Sequence, residues 1–182
     1  MSKFHETKRL LLKTLNKDSA PYVLSFYEEN KELFEPWEPT RGNNFYTLAY
    51  MKALLTAEQH QASEGRLIRY WVFLKEHPEE LIGTVCIQNI LKDPYHSGSL
   101  GYKFSQRYLH QGYAAESIER CIELAFGEYH IHRIDAYIMP NNTASIKLIN
   151  RLSFQYEGTC RAFAKINGNW HDHMHFSLLS PL

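Results

Sequence analysis

The chain is predicted to form a single α/β (α+β) domain over residues 1–182, with a mixed, mostly antiparallel sheet flanked by helices. Its length fits one ordinary domain. Strand-like runs outnumber helical ones, and most neighbouring strands are joined by short, hairpin-like connections. Only the strand–helix–strand unit around Tyr113 to Phe126 requires a parallel pair, because parallel strands need a long crossover.

The strands are predicted from runs that alternate between apolar and polar residues or are rich in β-branched and aromatic side chains. A turn at Asn167–Asn169 separates the last two strands. In chain order the predicted strands are Arg9–Thr14, Arg69–Lys75, Leu81–Ile90, Leu100–Phe104, Arg133–Met139, Phe154–Ile166 and Trp170–Leu178.

The helices are predicted from apolar residues at helical spacing, and they cover about 18–30, 44–62, 113–126 and 142–152. Asp18 and Ser19 are the expected caps of the first helix, and Asn142 is the expected cap of the last. The segment Pro36–Pro39 is expected to be a loop, because each proline fixes its own φ and restricts the residue before it.

Composition excludes several classes of protein. The 20 basic and 20 acidic residues cancel, which argues against a broad nucleic-acid surface. Hydrophobic residues make up 44% of the chain, too many for a disordered protein. The first residues lack the apolar stretch of a signal peptide, and no run approaches the roughly 18 apolar residues of a membrane span. Three scattered cysteines are read as reduced thiols. We therefore expect a cytoplasmic protein that binds neither membrane nor nucleic acid.

Two segments next to the predicted parallel strands carry the candidate chemistry. The first is the polar turn Ser105–Ala114, which has Gly112 near its end and leads into a helix; such a turn offers unpaired amides to an anion. The second begins at Asn142 and includes Ser145, and the parallel strands should bring it beside the first turn. Asn142 is also a plausible plain N-cap, and Ser145 a plain residue of the first helical turn.

Together these segments resemble the GCN5-related N-acetyltransferases. Tyr102 and Gly112 keep the spacing of that family's acetyl-CoA signature, and Asn142, Ser145 and Leu148 resemble its next motif. The segments Phe34–Pro39, His132–Ile134 and Asn167–His173 are similar to those of the ribosomal-protein-alanine N-acetyltransferases, so the resemblance covers nearly the whole chain.

The resemblance implies a sheet whose parallel strands splay apart, acetyl-CoA as co-substrate, no metal, and direct attack by an amine on the thioester. The acceptor would be a protein N-terminus, with a ribosomal protein as the partner. Ser145 and Glu38 are the expected catalytic residues, and Trp37 and Glu38 the expected acceptor-binding residues. The expected acetyl-CoA-binding residues are Lys103, Phe104, Leu109, His110, Gln111, Gly112, Tyr113, Ala114, Asn142 and Lys147.

Several alternatives remain open at this stage. Glu38 fits equally well as a structural loop carboxylate, and Arg107 and Lys147 fit as CoA-phosphate ligands or as ordinary surface cations. The chain departs from the family pattern at Leu109, where the motif has Gln or Arg, and at Ile149, where many relatives carry a tyrosine acid. The alternative functions are a small-molecule amine acetyltransferase and a non-catalytic CoA-binding regulatory module.

Further departures are His110, where relatives often have glycine, and Ser153, which replaces a glycine after the last helix and is expected to adopt a different C-cap or a strained left-handed conformation. His171, His173 and His175 alternate along one strand and would share a face. No carboxylate or cysteine accompanies them at ligand spacing, so they are interpreted as surface histidines rather than as a metal site.

Overall fold

The computed structural model describes residues 4–181; residues 1–3 and 182, which belong to the predicted domain range, lie outside the described part. Within it the chain forms one eight-stranded sheet. The strands are β1 (Phe4–Glu6), β2 (Leu10–Lys13), β3 (Ile68–Leu74), β4 (Leu81–Leu91), β5 (Ser97–Phe104), β6 (Arg133–Ile138), β7 (Gln155–Ile166) and β8 (Asn169–Leu179). The helices are α1 (Ala20–Glu29), α2 (Lys31–Phe34), α3 (Leu48–Ser63), α4 (Tyr113–Gly127) and α5 (Thr143–Arg151).

The strand order across the sheet is β1-β2-β3-β4-β5-β6-β8-β7. Every neighbouring pair is antiparallel except β5–β6, and α4 is the crossover between those two strands. The predicted mixed sheet with one parallel step is therefore confirmed. The edge strand β1 was not predicted, because three residues are too few to show an alternating pattern.

The predicted caps of the first helix are wrong. Ser19 precedes α1 without making a side-chain cap bond, and Asp18 lies in a short 3-10 turn. The cap of that turn is Asn16, whose side-chain oxygen accepts a hydrogen bond of 2.9 Å from the Asp18 amide. Asn16 was overlooked because the 3-10 turn shifts the start of the capped segment towards the N-terminus.

Helix α3 begins at Leu48 rather than near Asn44, because Thr47 caps it by accepting a hydrogen bond of 3.2 Å from the Tyr50 amide. The predicted proline loop contains a 3-10 turn at Glu35–Trp37. This turn fixes where the chain leaves the first helical segment and so sets the positions of Trp37 and Glu38.

Two apolar cores lie on opposite faces of the sheet, because successive side chains of a strand point to opposite faces. On β3, Tyr70 and Val72 belong to one core, while Trp71 and Phe73 belong to the other. Helices α4 and α5 cover the first face, and α1 and α3 cover the second. No helix of residues 4–181 is long and apolar enough to cross a membrane.

Left-handed residues shape two turns of the C-terminal part. Asn167 and Gly168 have φ of 47° and 83°, which suits the two-residue turn that joins β7 to β8. Ser153, just after α5, has φ of 65°. The serine therefore adopts the left-handed conformation usually left to glycine, at some cost in backbone strain.

Candidate active site

The parallel strands β5 and β6 diverge after a short paired stretch. Their ladder joins only Ser97–Ser99 to Arg133–Asp135. Further along, β5 stays paired with β4 as far as Phe104, and β6 stays paired with β8 as far as Ile138. The two strand ends therefore turn unpaired backbone groups towards a crevice, and an extended ligand can hydrogen-bond to such edges.

The phosphate turn, Leu109–Ala114, lies at the end of β5 and leads into α4. His110 and Gly112 have φ of 61° and 83°, and Gly112 is the N-cap of α4 without a side-chain cap bond. No described residue accepts a hydrogen bond from the amides of residues 110–115. Consecutive free amides next to left-handed residues at a helix start form an anion-binding concavity. The structure thus brings together the turn residues predicted to bind a phosphate group.

Across the crevice, Asn142 caps α5 as predicted. Its side-chain oxygen accepts a hydrogen bond of 3.2 Å from the Ser145 amide. The Tyr102 hydroxyl, from β5, is buried and makes no hydrogen bond of normal geometry. Burial raises the pKa of Tyr102, and the nearby Ser145 side chain partly offsets that rise. Two hydroxyl groups, one from each side of the crevice, therefore lie close together.

On the other face of the sheet, the Glu38 carboxylate pairs with two cations. Its Oε1 lies 2.5 Å from Lys103 Nζ, and its second oxygen accepts from the Arg41 guanidinium. All three side chains are largely buried. The rings of Tyr27 and Phe45 lie beneath the cations, with Arg41 Cζ 3.7 Å from the Phe45 centroid.

A second ion pair adjoins the first. Arg69 Nε lies 2.8 Å from the Glu58 carboxylate. Burial raises the pKa of Glu58, while the charges of Arg69 and Lys103 partly oppose that rise. Burial is the main cause that lowers the pKa of Lys103, and Arg41 and Arg69 act in the same direction. We call Glu38, Arg41, Glu58, Arg69 and Lys103 the charge cluster.

The side chains of several residues predicted to bind acetyl-CoA or the acceptor do not lie in the crevice between β5 and β6. Lys103 reaches into the charge cluster, and Phe104 is buried in the α4/α5 core. The Ser105 amide donates to the Ile82 carbonyl of β4, so by strand alternation the Lys103 backbone also bonds to β4. Of these two residues only Phe104 turns its backbone groups towards the crevice, and the predicted ligand contact of Lys103 is not supported by this register. Lys147 is exposed on α5, and Trp37 is partly exposed in the turn before Glu38.

The histidines of β8 do not form a metal site. His175 is held by other groups: its Nε2 lies 2.8 Å from Asp135, and its ring stacks on Tyr137. Burial lowers the pKa of His173. Across residues 4–181, no group of three or more His, Cys, Asp or Glu side chains could hold a metal ion.

Sequence reasoning missed several residues of the site. Arg9 contacts the phosphate turn across 102 positions, and Glu58 and Arg69 pair with each other near Lys103, so no local motif marks these residues. Arg41 pairs with Glu38 three positions away, but the sequence gives no separate sign of that pair. The sequence indicated Tyr102 only through its spacing to Gly112 and gave no role to its hydroxyl group. A buried hydroxyl without a partner is visible only in three dimensions.

The chain is similar to known acetyltransferases along nearly its whole length. The profile of the acetyltransferase (GNAT) domain family matches residues 9–155. The chain is 29% identical over 175 residues to a ribosomal protein uS5-alanine N-acetyltransferase of Escherichia coli (strain K12), covering 96% of this chain and 90% of that protein.

Solved structures agree in fold. The crystal structure of a ribosomal-protein-S5-alanine acetyltransferase from Vibrio fischeri has a TM-score of 0.91 and 28% identity, and covers 98% of this chain and 97% of that one. Mycobacterium smegmatis RimJ in complex with CoA-disulfide has a TM-score of 0.88 and 21% identity, and covers 94% of this chain and 82% of that one.

These matches confirm the predicted fold and the resemblance to the ribosomal-protein acetyltransferases. They also confirm acetyl-CoA as the acetyl donor, and the free amides of the phosphate turn suit its phosphate groups. The alternative of a non-catalytic CoA-binding module is wrong. The chain belongs to the acetyltransferase (GNAT) domain family and is an acetyl-CoA-dependent acyltransferase.

Proposed function

We propose that this enzyme acetylates the α-amino group of a protein N-terminus, and that its substrate is a ribosomal protein beginning with alanine. The observation that carries the proposal is the similarity to a ribosomal protein uS5-alanine N-acetyltransferase, which extends over nearly the full length of both chains. The reaction would take place in the cytoplasm, where ribosomal proteins are made.

The proposed cofactor contacts divide between backbone and side chains. The phosphate turn binds the pyrophosphate through its amides, and the free edge of β5 at Phe104 holds the pantetheine arm through its backbone groups. Asn142 and Lys147 act from α5, Asn142 by holding the helix start and Lys147 as a cation near the phosphates. Bound acetyl-CoA supplies the thioester carbonyl, which the β5 amides polarise.

The proposed acceptor site lies on the α1/α3 face, next to Glu38 and Trp37. A carboxylate there attracts the ammonium form of the N-terminus and accepts its proton, directly or through water. The demand on this base is small, because an α-amine has a pKa of about 8 and is partly neutral at pH 7. Trp37 supplies a partly exposed apolar surface beside the carboxylate.

The proposed acid is Ser145. Its hydroxyl donates a hydrogen bond to the sulfur of the departing coenzyme, a role that Ile149 cannot fill because it has no polar atom. Tyr102 orients Ser145, because its buried hydroxyl lies near the Ser145 side chain and has no other hydrogen-bond partner among the described residues. A free thiol has a pKa near 8.5, so modest assistance is enough.

The test is acetylation of purified ribosomal proteins by this enzyme and acetyl-CoA, followed by mass spectrometry of the N-terminal peptides. We expect one acetyl group on an N-terminal alanine. A synthetic peptide with that N-terminus and an internal lysine provides the matched substrate, and the same peptide with a blocked N-terminus is its control. The blocked peptide should remain unmodified.

Acetylation of the internal lysine in both peptides would overturn the proposed α-amine specificity. The remaining alternative, a small-molecule amine acetyltransferase on the same fold, predicts that no ribosomal protein is modified while small amines are turned over efficiently. A panel of primary amines assayed by release of free CoA thiol distinguishes that outcome.

A further inference from the structure

Arg9, just before β2, reaches the phosphate turn from a distant part of the chain. Its Nη1 donates a hydrogen bond of 3.0 Å to the Gln111 carbonyl, across 102 positions of sequence. Its guanidinium lies over the ring of Tyr113, with Cζ 4.3 Å from the centroid. Its Nη2 would lie 3.3 Å from a Cβ atom added at Gly112. The guanidinium therefore lies directly beside the glycine that begins α4.

Glu116, in the first turn of α4, fixes this arginine. Its Oε2 accepts a hydrogen bond of 2.7 Å from Arg9 Nε, and its Oε1 accepts from the Arg9 amide at 2.8 Å and from the Thr7 hydroxyl at 2.6 Å. Burial opposes ionisation, but these hydrogen bonds and the charge of Arg9 together lower the pKa of Glu116. The carboxylate thus remains ionised and holds the guanidinium plane in one orientation.

The remaining donors of Arg9 are free. Nη2 makes no hydrogen bond with any residue of the described chain, and the side chain is 42% exposed. Arg9 and the phosphate turn line the same surface cavity of about 550 Å³, together with Arg151. A guanidinium held by a carboxylate and a carbonyl, with one nitrogen free towards a cavity, is suited to bind a phosphate oxygen.

The family signature carries Gln or Arg where this chain has Leu109. We infer that Arg9 is an acetyl-CoA-binding residue: Nη2 donates to the pyrophosphate at the phosphate turn, while Nη1 holds the Gln111 carbonyl and so keeps the turn open. A side chain from a different segment thereby provides the polar group that Leu109 lacks. This inference rests on the proposed position of the pyrophosphate at the phosphate turn.

The test is calorimetric titration of Arg9→Gln and Arg9→Lys with CoA, 3′-dephospho-CoA and pantetheine. Loss of one charge-assisted hydrogen bond should raise the Kd of Arg9→Gln for CoA about tenfold to a hundredfold. The same factor should hold for 3′-dephospho-CoA, which keeps the pyrophosphate, and there should be no change for pantetheine, which lacks it. Arg9→Lys should lie between, because an ammonium keeps the charge but cannot make the forked contacts.

The matched control is Arg66→Gln, which removes another exposed arginine with a carboxylate partner, Glu64. Arg66 lies just before β3, where its backbone bonds to the end of β4, whereas the phosphate turn follows β5, at the opposite end of these antiparallel strands. This control should bind CoA as the wild type does. Thermal unfolding without ligand separates a loss of stability from a loss of affinity, because a purely structural Arg9 would change the melting temperature and weaken all three ligands equally.

Equal weakening for CoA and pantetheine, or unchanged CoA affinity, would overturn the role of Arg9. If Arg9→Gln raises the Kd for CoA but not for 3′-dephospho-CoA, the role is also overturned, because the contact is then to the 3′-phosphate. Gly112→Ala keeps this result distinct from a failure of the underlying site. If Gly112→Ala weakens CoA and Arg9→Gln does not, only the arginine is misassigned; if neither does, the pyrophosphate lies elsewhere.

Discussion

The phosphate turn and the charge cluster lie near opposite faces of the same strand, β5, and they are built from different groups. The phosphate turn offers backbone amides set by two left-handed residues, and the Arg9–Glu116 ion pair lies next to it. The charge cluster consists of side chains: two carboxylates and three cations, largely buried around Lys103. Binding through backbone amides depends mainly on the conformation of the chain, whereas binding through charged side chains depends on which residues are present.

The difference predicts how each of the two regions responds to substitution. Leu109 and His110 depart from the family signature, yet the turn still leaves its amides free, because conformation rather than side-chain identity creates the site. In the charge cluster, removal of one carboxylate leaves a buried cation without a partner. We therefore expect substitutions at the turn to act through backbone geometry and substitutions in the cluster to act through charge.

The largest effect is expected from Gly112→Pro. Proline fixes φ near −65° and has no amide hydrogen, whereas Gly112 has φ of 83°. Acetyl-CoA binding should become undetectable by calorimetry. Circular dichroism must show a folded protein, and Gly112→Ala, which keeps the amide, should still weaken binding. The control Gly127→Ala alters a glycine at the other end of α4, where an added Cβ meets nothing within 4 Å. Unchanged affinity in a folded Gly112→Pro would contradict backbone recognition.

The next effect is expected from Glu38→Gln, which keeps the shape of the side chain and removes its charge. The kcat/KM for an alanine-starting peptide should fall about ten- to a thousand-fold, while acetyl-CoA affinity is kept. Much of the loss should return at higher pH, because the α-amine then deprotonates without a base. The pH profile of kcat/KM between pH 6 and 9 measures both the loss near neutral pH and its recovery at higher pH.

The control for Glu38 is Glu35→Gln, which removes the same charge from the neighbouring turn, where Glu35 pairs with the exposed Lys31. Its activity should match the wild type. Urea unfolding separates catalysis from stability, because Glu38→Gln also leaves Lys103 and Arg41 without their carboxylate. Wild-type rates for Glu38→Gln across the whole pH range would make Glu38 a structural residue.

A smaller effect is expected from Ser145→Ala. Loss of a hydrogen bond made mainly in the transition state should lower kcat and kcat/KM together by about tenfold or more, with acetyl-CoA affinity unchanged. Tyr102→Phe should have a lesser effect, and the double variant should be no worse than Ser145→Ala, because Tyr102 acts through Ser145. Thr143→Ala, which removes an exposed hydroxyl from the same helix, is the control. Full additivity would refute the coupling between the two hydroxyls.

The smallest effect is expected from Asn142→Ala, which removes the cap of α5. The free energy of unfolding should fall by about 1 kcal/mol, measured by urea denaturation. Asn142→Ser keeps a capping oxygen and should recover most of it. Any loss of acetyl-CoA affinity that Asn142→Ser does not restore would show a direct role for Asn142 in binding rather than a cap alone.

Local sequence determined the features that depend on a few neighbouring residues. Asn142 before an apolar helical pattern predicted its own cap, and Gly112 at a helix start predicted a turn with free amides. Asn167 and Gly168 predicted a tight hairpin, and the single strand–helix–strand unit predicted the parallel step. The cap, the turn and the hairpin each depend on a backbone preference or hydrogen bond formed within a few residues. The parallel step spans more residues, but the crossover helix between two predicted strands indicates it directly.

Only the tertiary structure decided which distant groups meet. The pairing of Glu38 with Lys103, of Glu58 with Arg69 and of Arg9 with the phosphate turn leaves no local pattern. Strand alternation fixes that Lys103 points away from Tyr102, but the partner it finds depends on how α1 and α3 pack on that face. Such contacts follow from the assembly of the sheet and its two cores, because burial, not sequence proximity, brings these charges together.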